Sequence, residues 1–343
     1  MYLQSIASAF PPHVLTQEEV WNCGIRSQSP AMANLKPKSL ALAKKVLLGN
    51  SGIETRHFAT DDPTTLFDLS AGELNQLFER EAPAMAENAL SKALEEASVL
   101  PEDLDGLFVC TCTGYLCPGI SSYVAESMEM RSDIYLQDIV GLGCGAAVPT
   151  IRSAHGFLSA NPDASIAVVA VESCSSAFFM DNDLGVLISL CLFGDGASAS
   201  IWKSTPGQTG YKADHFHTLH IPKDREKIRF VNDNGKLRNK LHLSVPGLAA
   251  KAVKTLYEKR TCENAHVLTH TGGRDVLMAI EKTCCLDTIV ESTEVLRRYG
   301  NTSSPSVLIA LEELLNKGAT NDNLWLTSFG AGFACHSFEL NRD

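Results

Sequence analysis

A glycine-rich loop that contains a cysteine is the first feature of this sequence that points to chemistry. The segment GLGCGA, residues 141–146, fits the pattern G-x-G-x-x-A through Gly141, Gly143 and Ala146. Such a loop between a strand and a helix can hold the pyrophosphate of a dinucleotide. Glu172, at the end of the next predicted strand, would then bind the ribose, although it follows Gly141 by 31 residues where about 20 are usual. The pattern therefore allows a dinucleotide site.

The same loop allows a second interpretation, in which Cys144 is a nucleophile. A thiol at the N-terminus of a helix experiences the positive end of the helix dipole and nearby backbone N–H groups, which favour the thiolate. The small neighbours Gly143, Gly145 and Ala146 let a bulky acyl group approach the sulfur. A third possibility is a buried structural cysteine. A nucleophile needs a partner elsewhere in the chain, so the presence of one would favour the second interpretation.

Two further segments carry polar residues just before predicted helices. His270 ends the strand VLTH, and Gly272 and Gly273 lead from it into a helix. This edge of an α/β sheet is where such folds usually carry their active sites. Asn301, in the turn YGNTSS, could donate its amide hydrogens to an oxyanion. Either residue could instead be structural, but their common position at such junctions favours a site shared with Cys144.

Composition and charge limit the classes of protein to which the chain can belong. Its 343 residues are 45% hydrophobic and 20% charged, with a net charge of −11 and a pI near 5.4. Phosphate contacts need clustered Lys and Arg, so we expect no nucleic-acid partner. No apolar run reaches the length of a membrane span, and the first residues lack the features of a signal peptide. We therefore expect no membrane association and a cytoplasmic location.

The cysteines and histidines do not indicate a metal site. The 11 cysteines include no C-x-x-C pair, and we interpret the CTC and CC segments as core residues. His215, His217 and His220 of HFHTLH are a conceivable metal cluster, but alternate histidines are more typical of an exposed strand. We assign no metal.

Predicted strands and helices alternate along the chain. Helices are predicted over residues 86–97, 119–130, 144–160, 247–259, 273–283 and 304–316. Strands are predicted over residues 107–113, 133–140, 165–173, 266–270 and 323–330. This alternation predicts an α/β fold with a largely parallel sheet covered on both faces. Residues 204–246 are polar and turn-rich, which predicts a seam or a cap.

Six segments resemble, in order, the successive motifs of the type III polyketide synthases of the chalcone synthase superfamily: LGCGAAVP, LCLFGDGASASI, VPGLAAKAV, THTGGRDVL, YGNTSSPSVLIAL and SFGAGFACHSFEL. Two earlier segments, LALAKKVLLGNSGIETRHF and CTCTGYLCPG, resemble bacterial members. The resemblance covers roughly residues 35–340. It implies a homodimer and a thiolase-like αβαβα sandwich of two duplicated halves. Residues 1–204 would form the half that carries the nucleophilic cysteine, and residues 205–343 the half that carries the histidine and the asparagine.

The resemblance also implies a reaction. Cys144 would accept an acyl group from coenzyme A as a thioester, with His270 stabilising its thiolate. His270 and Asn301 would stabilise the enolate that forms when malonyl-CoA loses carbon dioxide. Attack of that carbanion on the thioester is a decarboxylative Claisen condensation. Acyl-CoA and malonyl-CoA are then the partners, and we expect no cofactor beyond these thioesters.

Other positions match substrate-binding residues of the family. Phe193 matches an aromatic gate between the coenzyme A tunnel and the acyl cavity. Gly330 and Gly332 match the glycine-rich loop beside the reacting carbonyl. Cys117 falls where plant members carry a methionine that crosses the dimer interface, and Thr113 belongs to the same segment.

Two departures from the family pattern concern substrate entry. Leu241 or Leu243 replaces the second aromatic gate, which predicts a wider entrance. Plant members also have more lysines near the position of Arg56, where they hold the phosphates of coenzyme A. The basic residues that could replace those lysines are Lys44, Lys45, Arg56 and Arg274. Because so few basic residues are available to bind coenzyme A, an acyl carrier protein is a possible donor of the acyl group.

Two alternatives to a type III polyketide synthase share much of this evidence. A ketoacyl synthase III-like enzyme would use the same three residues for one condensation on a carrier protein. A noncatalytic subunit would bind acyl groups or another ketosynthase. It would not need Cys144, His270 and Asn301 all to be present.

Overall fold

The computed structural model describes residues 1–26, 30–60, 62–318 and 321–342. The strands are β1 (Tyr2–Ala9), β2 (His13–Thr16), β3 (Thr55–Phe58), β4 (Gly106–Cys110), β5 (Tyr135–Ile139), β6 (Ser165–Glu172), β7 (Gly196–Lys203), β8 (Tyr211–His220), β9 (Ile228–Asp233), β10 (Lys236–Leu241), β11 (His266–Thr269), β12 (Asn323–Gly330) and β13 (Ala334–Arg342). The helices are α1 (Gln17–Arg26), α2 (Pro30–Ala33), α3 (Pro37–Leu47), α4 (Ala71–Ala97), α5 (Ile120–Ser127), α6 (Ala147–Ala160), α7 (Leu184–Leu192), α8 (Val245–Tyr257), α9 (Arg274–Cys284), α10 (Val290–Tyr299) and α11 (Ser306–Asn316).

Nine strands form one mixed sheet in the order β11-β12-β13-β8-β1-β7-β6-β4-β5. Its two parts repeat the same pattern. β4 pairs with β6 in parallel, and β6, β7 and β1 follow as antiparallel neighbours. β11 likewise pairs with β12 in parallel, followed by antiparallel β13 and β8. The two parts meet through the single pair Tyr2–Lys212.

Helices cover both faces of each part of the sheet. α6 contacts β4 and β6 of one part and β12 and β13 of the other, and α11 also contacts strands of both parts. These two helices therefore lie between the parts, where they form the central core. α4 packs on the outer face of the first part, and α8 packs on the outer face of the second. The order helix, sheet, helix, sheet, helix confirms the predicted α/β class. The prediction of a largely parallel sheet is wrong, because most neighbouring strands of the main sheet pair antiparallel.

Several element boundaries differ from the predicted ones for local reasons. α4 begins at Ala71, well before the predicted residue 86, because Ser70 and Glu73 form a capping box. β4 ends at Cys110 because the next residues donate hydrogen bonds to the Glu172 carboxylate instead of continuing the sheet. β12 forms over the predicted residues 323–330.

Residues 204–246 contain more structure than a seam. β8 lies inside the main sheet, and β9 and β10 form a separate antiparallel hairpin that contacts α7. The predicted division at residue 204 falls in the connection between β7 and β8. The assignment of residues 1–204 and 205–343 as two domains stays a prediction.

Among the described residues, no helix combines the length and the apolar character that crossing a bilayer would require.

Candidate active site

Cys144, His270 and Asn301 line one cleft, which encloses about 1940 Å³ including its open mouth. Cys144 lies in a short 3-10 turn, Gly143–Gly145, directly before α6. His270 follows β11, and Asn301 lies in the turn between α10 and α11. α6 and α11 are the two central helices, so the inter-sheet packing sets the separation of these groups. The structure thus brings together the three residues that the sequence predicted for one site.

The Cys144 sulfur is buried and surrounded by hydrogen-bonding groups. The side chain is 7% exposed, and the Ser303 Oγ lies 3.1 Å from Sγ. A hydrogen bond from the Cys112 thiol is the strongest influence lowering the pKa of Cys144 well below its usual value. The charge of His270 and the hydrogen bonds from His270 and Ser303 lower the pKa further, whereas burial opposes them. The surroundings therefore favour the thiolate, which is the nucleophilic form.

The His270 ring is fixed in one tautomer by Ser306. The Ser306 hydroxyl donates its single hydrogen to the Ser303 carbonyl oxygen at 2.8 Å. It must therefore accept a hydrogen bond from His270 Nδ1, which lies 2.7 Å away. Nδ1 carries a proton, and Nε2 is the nitrogen left to exchange a proton with groups in the cleft.

The Asn301 amide is oriented by its own turn. The Ser303 N–H donates to Asn301 Oδ1 at 2.9 Å, so the amide NH2 is the end that remains available. The Asn301 backbone is held on both sides, since its N–H donates to the Leu192 carbonyl and its carbonyl accepts from Gly194 N–H. The arrangement presents a neutral donor in a cleft that also contains the thiol.

Glu172 lies behind the cysteine turn and not at a ribose site. Its carboxylate is fully buried and accepts hydrogen bonds from Thr113 Oγ1 at 2.8 Å and from Ser304 Oγ at 2.5 Å. Ser303 Oγ lies 3.2 Å from the same carboxylate, so this hydroxyl can donate to Glu172 or to Cys144. Burial is the main cause that raises the pKa of Glu172. A carboxylate so enclosed cannot reach a ribose hydroxyl, which argues against the dinucleotide interpretation.

Phe193 lies at the boundary between the cleft and a smaller inner pocket. Phe230 and Asn239 also line both spaces. Thr113 lines the inner pocket, as a substrate-binding residue would. Because the hairpin β9–β10 supplies both Phe230 and Asn239, it contributes the second side of this boundary.

The prediction that a leucine replaces the second gate is wrong. Leu241 lines the cleft but not the inner pocket, and Leu243 is 77% exposed. Strand residues alternate between faces, so Asn239 and Leu241 share a face of β10, and Asn239 is the one at the boundary. An aromatic residue, Phe230, comes from the neighbouring strand, so the predicted widening of the entrance is also not supported.

The prediction that Arg56 contacts coenzyme A phosphates is also wrong. Arg56 is fully buried, and its Nη1 donates to the carbonyl oxygens of Leu190 at 2.8 Å and Phe193 at 2.7 Å. Its Nε donates to Gln17 Oε1 at 2.9 Å. Burial lowers the pKa of Arg56 to about 10. The guanidinium therefore secures the end of α7 and the backbone of the gate residue.

Lys45 and Arg274 line the mouth of the cleft, together with Arg229 and His242. Lys44 instead lies over the Trp21 ring. The basic groups at the entrance therefore come partly from the hairpin segment, which the sequence did not indicate as a source of them.

Gly330 packs against the cysteine turn. A Cβ at Gly330 would lie 2.9 Å from the Cys144 backbone nitrogen and 2.6 Å from that of Gly145. Glycine is thus required there for the close approach of two backbones. Gly332 has a φ of +132°, which other residues rarely adopt.

Cys117 is exposed in the loop after β4. On β8, His215 and His220 are exposed. Across the part of the chain that is described, no group of three or more His, Cys, Asp or Glu side chains could hold a metal ion.

Sequence reasoning missed several residues around the nucleophile. Cys112 belongs to the CTC segment, which was interpreted as core. Ser303 and Ser306 follow Asn301 closely in the chain, and the sequence pattern predicts no role for them beside Cys144. The spacing S-S-P-S after Asn301 was a usable signal, because alternate hydroxyls at a helix N-terminus can hydrogen-bond to groups beside that helix.

Comparison with known proteins agrees with this fold. Residues 16–227 match the family model described as FAE1/Type III polyketide synthase-like protein. Residues 259–341 match the C-terminal model of 3-oxoacyl-[acyl-carrier-protein] synthase III.

Individual relatives cover nearly the whole chain. The chain is 30% identical over 334 residues to 1,3,6,8-tetrahydroxynaphthalene synthase of Streptomyces coelicolor, with 94% of this chain and 87% of that protein covered. It is 28% identical over 291 residues to 3,5-dihydroxyphenylacetyl-CoA synthase of Streptomyces toyocaensis, with 79% and 75% covered. The crystal structure of the Streptomyces coelicolor A3(2) tetrahydroxynaphthalene synthase, a bacterial type III polyketide synthase, superposes with a TM-score of 0.90 at 27% identity, over 100% of this chain and 99% of that chain.

The layered fold and the cleft define a thiolase-fold condensing enzyme, as the αβαβα prediction stated. The chain belongs to the FAE1/type III polyketide synthase family. It is an acyltransferase of the polyketide synthase type, and its relatives do not support a noncatalytic subunit. The relatives do not support the ketoacyl synthase III-like alternative.

Proposed function

We propose that this enzyme loads an acyl starter from coenzyme A onto Cys144 and extends it with malonyl-CoA. The observation that carries the proposal is that Cys144, His270 and Asn301 line the same cleft. The thiolate attacks the acyl-CoA carbonyl, a carbon–sulfur bond forms, and coenzyme A leaves as its thiolate. The lowered pKa of Cys144 supports this step, since it favours the thiolate form of the sulfur.

Decarboxylation follows in the same cleft. Loss of carbon dioxide from malonyl-CoA leaves an enolate, whose oxygen needs hydrogen-bond donors. The amide NH2 of Asn301 is free to donate because Ser303 N–H already occupies Oδ1. His270 donates from Nε2 when it is protonated, with Nδ1 held by Ser306. The carbanion then attacks the Cys144 thioester and regenerates the thiolate.

We propose that the growing chain is short. The inner pocket leaves only about 20 Å³ of free space between its lining side chains, well below the range of about 300–1,000 Å³ found for ligand pockets. Phe230 narrows its boundary, and most of its lining is apolar, with Thr113 and Asn239 among the polar exceptions. Such a space favours a small starter and few extensions.

We further propose a homodimer that pairs through one edge of the sheet. β5 is an edge strand, and Tyr135, Leu136 and the adjacent Val140 are 47%, 37% and 48% exposed. Tyr115, two residues before Cys117, is 68% exposed. We call these four exposed apolar residues (Tyr115, Tyr135, Leu136 and Val140) the edge patch. An exposed apolar edge strand is stabilised when a second copy covers it.

The remaining expectations follow from the proposed chemistry. The condensation needs no cofactor beyond its coenzyme A thioesters. A catalytic thiolate must stay reduced, so we propose that the enzyme works in the cytoplasm. Basic groups at the mouth, such as Lys45 and Arg274, suit the phosphates of coenzyme A and make a carrier protein unnecessary.

The test combines acyl loading with product analysis. A panel of acyl-CoA starters and malonyl-CoA is given to the wild type and to Cys144→Ala, Asn301→Ala and Cys285→Ser, the last altering an exposed cysteine. We expect Cys144→Ala to lose the acyl-enzyme mass and all products, and Cys285→Ser to keep both. Asn301→Ala should load normally but form product about 10²–10³-fold more slowly. Product formation by Cys144→Ala at the wild-type rate would refute the proposal, and product that requires a carrier protein would refute the coenzyme A donor.

A further inference from the structure

A second cysteine, Cys112, contacts the proposed nucleophile. Its side chain is the strongest influence that lowers the pKa of Cys144. Ser303 Oγ lies 3.2 Å from Cys112 Sγ and 3.1 Å from Cys144 Sγ, so both sulfurs touch one hydroxyl group. The proposed condensation forms no bond to Cys112, which leaves the reason for a second thiol at this place open.

The fold holds the two sulfurs together. β4 and β5 are parallel neighbours in the sheet, paired at their ends through Cys110 and Ile139. Cys112 follows β4 by two residues and Cys144 follows β5 by five, so both lie at the same sheet edge. The Cys112 N–H donates to the Glu172 carboxylate at 2.9 Å, which fixes the backbone of this loop. The contact between the thiols is therefore built into the packing.

The two thiols differ in the way that a redox pair requires. The surroundings of Cys144 favour its thiolate. The pKa of Cys112 is instead raised well above its usual value, first by the hydrogen bond with Cys144 and then by burial. Thiolates react with peroxides and thiols do not, so the first oxidation falls on Cys144. The cleft that contains Cys144 opens to solvent and admits a small oxidant.

We propose that Cys112 is a resolving cysteine that protects Cys144 by forming a reversible disulfide with it. Hydrogen peroxide oxidises the Cys144 thiolate to the sulfenic acid, and hydroxide leaves. The Cys112 sulfur attacks the sulfenic sulfur, a sulfur–sulfur bond forms, and the hydroxyl departs with the Cys112 proton as water. A dithiol reduces the disulfide and restores both thiols. While the disulfide persists, no acyl group can load, and the sulfur is protected from irreversible oxidation to the sulfinic acid.

Peptide mapping and activity are measured after a short peroxide treatment of the full-length enzyme. In the wild type we expect a peptide pair joined through Cys112 and Cys144, loss of product formation, and recovery of both with dithiothreitol. The matched variants are Cys112→Ser and Cys174→Ser, since Cys174 is another buried thiol near the site. Each is normalised to its own activity before oxidation. After peroxide and dithiothreitol, we expect at least about tenfold less activity in Cys112→Ser than in the wild type or Cys174→Ser, with Cys144 as sulfinic acid.

The outcomes separate this inference from the proposed function on which its effect on activity rests. A wild-type enzyme that loses activity without the joined peptides, or that dithiothreitol does not restore, overturns the resolving role. If the Cys112 and Cys144 peptides are joined but product formation is unchanged, the disulfide is supported and the role of Cys144 in condensation is overturned. Peptide mapping of the wild type needs no substitution. It therefore shows whether Cys112 and Cys144 form a disulfide even if Cys112→Ser does not fold.

Discussion

At the scale of single residues, the acidity of one thiol decides the reactivity of the site. The pKa of Cys144 is lowered first by the Cys112 hydrogen bond and then by His270 and Ser303. A cysteine with a depressed pKa is thiolate above that pKa and loses reactivity as the pH falls through it. The pH dependence of alkylation therefore reports directly on these partners.

We predict that iodoacetamide modifies Cys144 with a midpoint pH well below the ordinary value of about 8.5. His270→Ala should raise the midpoint, because it removes a charge and a hydrogen bond that favour the thiolate. His266→Ala is the control, since His266 lies on β11, the strand that His270 follows, but pairs with Glu291. The measurement is the alkylated fraction of the Cys144 peptide against pH. An unchanged midpoint in His270→Ala would contradict the proposed partnership.

A second prediction at this scale distinguishes the structural role of Arg56 from the substrate-binding role of Arg274. Arg56→Met leaves two backbone carbonyls and Gln17 without their donor, so the free energy of unfolding should fall by about 2–5 kcal/mol. Arg274→Met, at the mouth, should leave stability nearly unchanged and raise the KM for malonyl-CoA about tenfold. Denaturant unfolding and steady-state kinetics test both. A stable Arg56→Met enzyme with a raised KM would return Arg56 to the role of a phosphate ligand.

At the scale of elements, the turn between α10 and α11 positions the site more than any single contact does. It carries Asn301, Ser303 and Ser306, which orient the amide, touch the thiol and fix the His270 tautomer. Gly300 begins this turn with φ +70° and ψ −158°, a conformation that is essentially restricted to glycine. The geometry of three functional groups thus depends on one backbone position.

We predict that Gly300→Ala destabilises the enzyme by about 2–4 kcal/mol and lowers its activity beyond what the loss of folded protein explains. An added Cβ would lie 2.7 Å from the Leu192 carbonyl oxygen and 2.8 Å from Arg56 Cγ, so the turn must shift. Gly318→Ala is the control, because Gly318 has φ +72° but nothing within 4 Å of a Cβ. It should cost only about 1–2 kcal/mol and keep its activity. Equal effects of the two substitutions on activity per folded molecule would contradict the positioning role of the turn.

At the scale of the whole molecule, the repeated sheet pattern explains how one site draws on distant segments. Each half contributes one helix to the central layer, α6 or α11, and each helix begins beside a functional residue. Burying both helices between two sheets brings their N-terminal ends to the same cleft. The outer edge of the sheet at β5 is exposed and apolar, and we propose that a second copy of the chain covers it in the dimer.

We predict that Leu136→Lys converts a dimer into monomers, because a lysine on the edge strand must be desolvated in a paired interface. Val290→Lys is the control, since Val290 is 53% exposed on a different surface. Sedimentation velocity should give a dimer for the wild type and Val290→Lys and a monomer for Leu136→Lys. A monomeric wild type, or a dimeric Leu136→Lys protein, would contradict pairing through the edge patch.

The sequence by itself determined the type of fold and the principal candidates for the site. The alternation of apolar strands and helices required a layered α/β structure, and the spacing of small residues around Cys144 indicated a nucleophile. His270 and Asn301 were predictable because each precedes a helix, His270 where the chain leaves β11 and Asn301 in the turn between α10 and α11. These are local signals, which depend on neighbours in the chain.

Only the tertiary structure decided which side chains surround those residues. Cys112 contacts Cys144 because β4 and β5 are adjacent, Arg56 is buried because the end of α7 packs over it, and Phe230 reaches the gate from a hairpin far along the chain. Burial and contact between distant segments depend on how strands are ordered and helices layered. The local sequence around a basic residue, a cysteine pair or a leucine in a strand is the same whether the side chain faces a cleft or the core. Only the packing of distant segments therefore determines its role.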